Sequence, residues 1–162
     1  MNENMAVPND VVINRTFDVS IDKIWQLWTE SEYFQKWYGP KGCSLPSVEI
    51  DLQVGGKRIV CMTMNRPDGN TMTMWTSGLH TQVSPPYRLA YTESITDKDG
   101  NQVSMGNAPV AKTEVLVELE DLDGRTKMKM THVGVPENSP GAFGWNQALD
   151  KLAEYIGSSS TC

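Results

Sequence analysis

Trp145-Asn146-Gln147-Ala148-Leu149-Asp150-Lys151-Leu152-Ala153-Glu154-Tyr155-Ile156-Gly157 lies near the end of the chain, and its spacing constrains everything before it. Trp145, Leu149, Leu152 and Ile156 recur at alternating steps of four and three residues, with Ala148 filling in. That is the apolar stripe of an amphipathic helix. Asn146, Gln147, Asp150, Lys151 and Glu154 take most of the other face, and Gly157 reads as a C′ stop. A helix of about four turns with one apolar stripe is not stable alone in water and must lie on a large apolar surface.

The hairpin just upstream supplies part of that surface. Asp123-Gly124 is a favoured two-residue type I′ turn. Taken as the loop, it sets Glu120 opposite Lys127 and Glu118 opposite Lys129. The same register sets Leu119 opposite Met128, Val117 opposite Met130 and Val115 opposite His132. One face is charge-paired and wet; the other is apolar apart from the histidine, as in antiparallel sheets with one solvated side.

Further strands precede it. Val11 to Phe17 is rich in β-branched residues and reads as a first strand after a leader over residues 1–10. Ser20 is an N-cap for a helix with the stripe Ile21, Ile24, Trp25 and Trp28. Ser31 caps a second helix with Phe34, Trp37 and Tyr38 on its face, stopped by Gly39-Pro40. From Ser44 the period becomes two: Val48, Ile50 and Leu52 alternate with polar residues until Gly55-Gly56. Strands follow at Arg58–Met64, Met72–Val83 and Arg88–Thr92, then a polar connection over Asp97–Ala111 of a length that is uncommon unless functional or mobile. The order strand, two helices, six meandering strands and a long helix gives an α+β protein. Its antiparallel sheet of about seven strands curves around the last helix.

Composition excludes several functions. The chain has 162 residues, one domain's worth, taken as 11–157 with a short tail over 158–162. A formal charge of −6 argues against nucleic acid as a partner. No apolar run reaches the ~20 residues of a membrane helix, and the N-terminus lacks the pattern of a secretory signal. Cys43, Cys61 and Cys162 read as reduced thiols, consistent with a cytoplasmic protein. No nucleophile elbow, dinucleotide fingerprint or phosphate loop occurs, and no metal-ligand spacing is present, so no cofactor is expected.

The chain resembles the Activator of Hsp90 ATPase homologue 1-like family, within the START/Bet v 1-like superfamily of helix-grip folds. The resemblance rests on Arg15-x-Phe17, Trp25-x-x-Trp28-Thr29, Trp37-Tyr38-Gly39-Pro40, Asp51 and Gly55-Gly56. It continues through Asp68-Gly69, Gly78, Pro85-Pro86-x-Arg88-Leu89 and Gly144-Trp145-x-x-x-Leu149-x-x-Leu152. It implies a small apolar molecule held between sheet and helix. Relatives that stimulate the Hsp90 ATPase carry a further N-terminal domain, so the resemblance makes Hsp90 itself an unfavoured partner. Where members of the family often have an aromatic, two residues after Gly55-Gly56, this chain has Arg58.

The expected ligand site therefore lies under the last helix. Met62, Met64, Met128 and Met130 would give an adaptable lining, with Tyr91, Val117 and Leu149 as further wall. The Phe143-to-Leu149 end, including Trp145, would form the roof. His132 is either a satisfied core histidine or a polar handle for a ligand; acting as a general base is a third reading. Trp37 and Trp75 are candidate aromatic rim residues. Arg58 shares parity with Met62 and Met64, and is either ion-paired or meets an anionic ligand group. A four-residue loop at Pro67–Asn70 pairs Met62 with Trp75 and turns His80 outward. A three-residue loop pairs Met62 with Thr76 and brings His80 inward. The leading expectation is a binder of a small apolar or aromatic molecule. A cyclase- or hydrolase-like enzyme and an Hsp90-linked module are alternatives, and a homodimer is compatible with all three.

Overall fold

The computed structural model describes residues 10–103, 112–135 and 140–159. Residues 1–9 of the leader, residues 104–111 of the connection before the last hairpin, and Cys162 lie outside them.

The chain runs β1 (Asp10–Phe17), α1 (Ile21–Thr29), α2 (Ser31–Trp37), β2 (Cys43–Ile50), β3 (Lys57–Asn65) and β4 (Thr71–Ser84). It continues through β5 (Arg88–Thr96), β6 (Lys112–Asp121), β7 (Thr126–Val133) and α3 (Pro140–Ser159). The strands form one seven-stranded antiparallel sheet in the order β1-β7-β6-β5-β4-β3-β2. Six sequential strands make the meander, and β1 closes it beside β7. This is a helix-grip α+β fold: α3 lies in the concave side of the sheet, and α1 and α2 pack at one end.

The β6–β7 hairpin has the register read from its turn, with Val115 opposite His132, Val117 opposite Met130 and Leu119 opposite Met128. Asp123 and Gly124 both have positive φ, 61° and 98°, and the Leu122 amide donates to the Arg125 carbonyl at 2.7 Å. Both central residues of a type I′ turn require that backbone, and Asp-Gly tolerates it.

Several boundaries differ from expectation. Asp10 belongs to β1, not to the leader. Ser20 caps α1 by accepting from the Lys23 amide, but the N-cap position of α2 is Glu30, whose side chain makes no capping bond, and Ser31 is the first helical residue. Leu27, not Trp25, completes the buried stripe of α1. Leu52 leaves the β2 pattern because the strand ends at Ile50. Gly157 does not stop α3, which continues to Ser159.

The β3–β4 register departs from both loop readings. Met62 faces Met74 and Arg58 faces Gly78. The Arg66 amide donates to the Asn70 carbonyl at 2.7 Å, which leaves Pro67-Asp68-Gly69 as a three-residue loop with Gly69 at φ 88°. Three-residue hairpins place a left-handed residue at this position, and glycine fills it without strain. His80 then points to the concave side and Trp75 to the convex side. Gly78 is where β4 approaches β5 too closely for a side chain: an added Cβ would overlap the Thr92 carbonyl oxygen.

The core is continuous between the sheet and α3. Leu149 and Leu152 are fully buried, as are Met128, Met130 and Tyr91. Burying a leucine side chain contributes roughly 1.5–3 kcal/mol, so the stripe supplies the hold on the sheet. Arg15 on the edge strand adds one link at the rim, bonding Asp150 of α3 at 2.8 Å. Such a part-exposed pair is worth at most ~1 kcal/mol.

Candidate ligand cavity

Not all of the space beneath α3 is filled. A cavity of about 180 Å³ opens between the N-terminal half of α3, the end of α2 and strands β3 and β4. Met62, Met64 and Met74 line one side, Trp145 and Ala148 the roof, and Pro40 and Gly144 flank it. Tyr38, Glu93 and His132 supply its polar part. Gly144 lies close to the loop after α2: an added Cβ would come within 3.3 Å of Pro40 Cγ.

Its roof is held by an aromatic cluster. Trp145 stacks on Trp28 at 5.9 Å between ring centres and meets Tyr38 edge-on at 5.4 Å. Tyr38 in turn stacks on Phe34 at 4.4 Å. Trp37 is fully buried behind them, its indole donating to the Leu27 carbonyl at 2.8 Å.

The tautomer of His132 follows from its neighbours. Trp145 Nε1–H can only donate, and it lies 2.8 Å from His132 Nδ1. Nδ1 is therefore the acceptor and the proton sits on Nε2, which donates to Thr113 Oγ1 at 2.8 Å. The Thr113 hydroxyl in turn donates to the Glu93 backbone carbonyl at 3.1 Å. Both ring nitrogens are satisfied in the neutral form, so protonation at Nδ1 would break the indole bond. Burial lowers the His132 pKa, and the opposing pull of Glu93 is smaller.

Glu93 is the acid of the cavity. Its Oε1 lies 3.7 Å from His132 Nε2, whose proton is already committed to Thr113, and its Oε2 accepts from the Tyr38 hydroxyl at 3.3 Å. That is long for a bond between hydroxyl and carboxylate, which normally closes to about 2.5–2.7 Å. The carboxylate thus keeps acceptor capacity beside the cavity. Burial, followed by Glu93, pushes the Tyr38 phenol well above its ordinary 10.0.

Lys151 stands outside this lining. It donates to the carbonyls of Tyr38 and Pro40 at 3.3 Å each, and burial lowers its pKa. Arg58 is buried and meets neither an ion-pair partner within 4 Å among the described residues nor the cavity. Its guanidinium carbon lies 3.5 Å from the Tyr91 ring centre and 5.1 Å from that of Phe34. Two aromatic faces hold the cation in place of a carboxylate. Beside it, His80 Nδ1 donates to the Gly56 carbonyl at 3.0 Å, and burial lowers the His80 pKa.

Of the residues singled out in sequence, Met62, Met64, His132 and Trp145 meet at the cavity. Tyr91, Val117, Met128, Met130 and Leu149 are buried beneath it as packed core, and Trp37 is core as well. Arg58 and His80 belong to a separate buried cluster around Tyr91. Trp75 is not at the rim, because the observed register puts it on the convex face. Phe143 is not in the roof: it is 68% exposed, pointing away from the stripe that Trp145 begins. Tyr38, Met74 and Glu93 were missed. Glu93 has the inward parity of Leu89 and Tyr91, but a strand ending at Thr92 stops one residue short of it.

This architecture, a curved antiparallel sheet gripping a long helix over a cavity, defines a helix-grip protein. The chain belongs to the Activator of Hsp90 ATPase homolog 1-like protein family, whose model matches residues 18–157. Among solved structures it is similar to a Nitrosomonas europaea protein at 22% identity, covering 93% of this chain and 95% of that one with a TM-score of 0.72. The AHSA1 protein from Silicibacter pomeroyi is similar at 20% identity, 93% and 99% coverage and TM-score 0.72. A Staphylococcus epidermidis protein gives 21% identity, 94% and 92% coverage and TM-score 0.73. At these identities the likeness establishes the fold. No curated protein matches the chain significantly. No helix among the described residues is long and apolar enough to cross a membrane.

Proposed function

We propose that the protein binds a small, largely apolar molecule in the cavity beneath the N-terminal half of α3. The observation that supports this most is the combination of volume and lining: about 180 Å³ walled by three methionines and an indole, with Tyr38, Glu93 and His132 as its polar part. An apolar cavity of about 150 Å³ accepts benzene, so the space suits a molecule of one ring or a short branched chain. Methionine side chains adapt their shape to what they meet, and a few placed polar groups orient a ligand in an otherwise apolar site.

Thermal denaturation with a panel of single-ring aromatics tests the reading. Binding to the folded state alone raises the melting temperature by mass action, about 2.7 kcal/mol at a hundredfold excess over Kd. Met74→Trp, placed at the half-buried rim, should abolish the shift while the variant keeps its fold. A panel that leaves the wild-type melting temperature unchanged argues against a binding role.

A second reading, an enzyme using the same cavity, draws on one observation: Tyr38, Glu93 and His132 are three titratable groups at one apolar space. A carboxylate with spare acceptor capacity there has the placement of a general base. If a reaction is found, Glu93→Gln should lower kcat much more than it raises KM. An association with Hsp90 would need a partner-facing surface in place of this cavity, and the ligand reading does not depend on it.

A further inference from the structure

Resting on the cavity reading above, we infer that the preferred ligands are small apolar amines, bound as ammonium ions with the charge on Glu93. Among the described residues that line the cavity one carries a formal charge, Glu93, and it is negative. Glu93 lines the space with its side chain 15% exposed and has one long bond, from Tyr38 at 3.3 Å. An ionised carboxylate has about four acceptor positions, so most of its capacity is unused.

His132 cannot supply the counter-charge. Its Nδ1 already accepts the Trp145 indole proton at 2.8 Å, and its Nε2–H is directed at Thr113. Becoming a cation would cost the indole bond that fixes the roof. The two neighbouring cations are also engaged elsewhere: Arg58 is stacked against the Tyr91 and Phe34 rings, and Lys151 is bonded to the Tyr38 and Pro40 carbonyls. Neither lines the cavity.

The walls fit the same ligand. Tyr38 and Trp145 meet edge-on at 5.4 Å at the cavity, and aromatic faces attract cations, tryptophan most strongly. Thioethers of Met62, Met64 and Met74 provide soft, polarizable contact for the ligand's hydrocarbon part. A carboxylate-bearing ligand would instead place like charges together. A neutral ligand without a donor would leave Glu93 desolvated and unpartnered, and an alcohol would return one hydrogen bond but no opposite charge.

The test uses the whole protein and three probes of matched shape: benzylamine, benzyl alcohol and benzoate, each titrated by calorimetry at pH 7.5. Benzylamine should bind at least tenfold more tightly than benzyl alcohol, with benzoate weakest. Glu93→Gln, which keeps the shape and an acceptor for Tyr38, should collapse the amine-to-alcohol ratio toward one while benzyl alcohol still binds. Equal binding of amine and alcohol to the wild type overturns the amine preference and leaves the cavity reading intact. Tightest binding of benzoate also overturns it, and assigns the dominant field to Arg58 and Lys151. If none of the three binds, both the preference and the cavity reading fall. The wild-type series decides the matter even if the variant fails to fold.

Discussion

Replacing Trp145 by Phe isolates the bond that fixes the cavity roof. The substitution keeps an aromatic ring over Trp28 and beside Tyr38 but removes the indole N–H that donates to His132 Nδ1 at 2.8 Å. His132 is 6% exposed, so water does not readily replace that donor. A buried acceptor left without a partner costs about 1–3 kcal/mol. Loss of the second indole ring's buried surface adds roughly 1 kcal/mol. The expected destabilisation is therefore about 3 kcal/mol at neutral pH, a drop of roughly 10 °C in Tm for a domain of this size. The variant carries a second signature. With Nδ1 free, protonation breaks no bond, and Glu93 Oε1 at 3.7 Å from Nε2 favours the imidazolium. The His132 pKa should rise from its lowered wild-type position, and the stability deficit should narrow as the pH falls below the ordinary histidine value of 6.5. Urea denaturation across pH, with an NMR titration of the histidine ring protons, measures both effects. A variant within about 0.5 kcal/mol of wild type, with an unmoved His132 titration, refutes the assigned tautomer and the role of the indole bond.

Other outcomes follow from the same geometry. Both His80 and His132 have pKa values lowered chiefly by burial from the ordinary 6.5. Below pH 6.5 the unfolded chain takes up protons that the folded one refuses. Their contribution is therefore complete above 6.5 and lost as the pH falls toward the folded values, with a limiting slope of about 1.4 kcal/mol per pH unit for each histidine. Urea midpoints measured from pH 7.5 to 5 should decline accordingly, and a flat profile contradicts the buried neutral state of both rings. Gly78→Ala should lose about 3 kcal/mol or more, because its Cβ would overlap the Thr92 carbonyl oxygen of the neighbouring strand, which is backbone and cannot turn aside. A circular-dichroism melt indistinguishable from wild type would show that β4 and β5 can separate at no cost.

Much of the fold was readable because independent signals agreed. The stripe from Trp145 to Ile156 needs an apolar surface, and the Asp123-Gly124 hairpin shows one in its alternation; turn chemistry, charge pairing and burial all give one register there. The β3–β4 hairpin lacked that agreement. Its loop contains Pro67, Asp68, Gly69 and Asn70, several of which suit a turn, and Met62 finds an apolar or tolerable partner in each register. The side chains around the cavity were harder to read for a related reason. Trp37 and Tyr38 are neighbours at the end of α2, so a small rotation decides which one meets the cavity; Trp37 is buried and bonded to Leu27, and Tyr38 takes the place. Glu93 was hidden by its charge. Polar residues close the apparent strand after Tyr91, yet β5 continues to Thr96 and carries the carboxylate to the concave side. Arg58 resisted for the opposite reason: an ion pair or an anionic ligand group was expected, and the guanidinium lies against aromatic faces instead, with Nη1 buried and meeting no hydrogen-bond partner among the described residues.

The proposed ligand space lies under the N-terminal half of α3 and not deeper in the sheet. Methionine methyl resonances report on it directly, since Met62, Met64 and Met74 line the cavity while Met128 and Met130 are fully buried core. With methyl-labelled methionine and benzylamine added to saturation, the first three signals should shift together along one binding curve, and those of Met128 and Met130 should stay in place. Movement of the Met128 and Met130 signals with the other three silent, or no movement at all, would contradict the account.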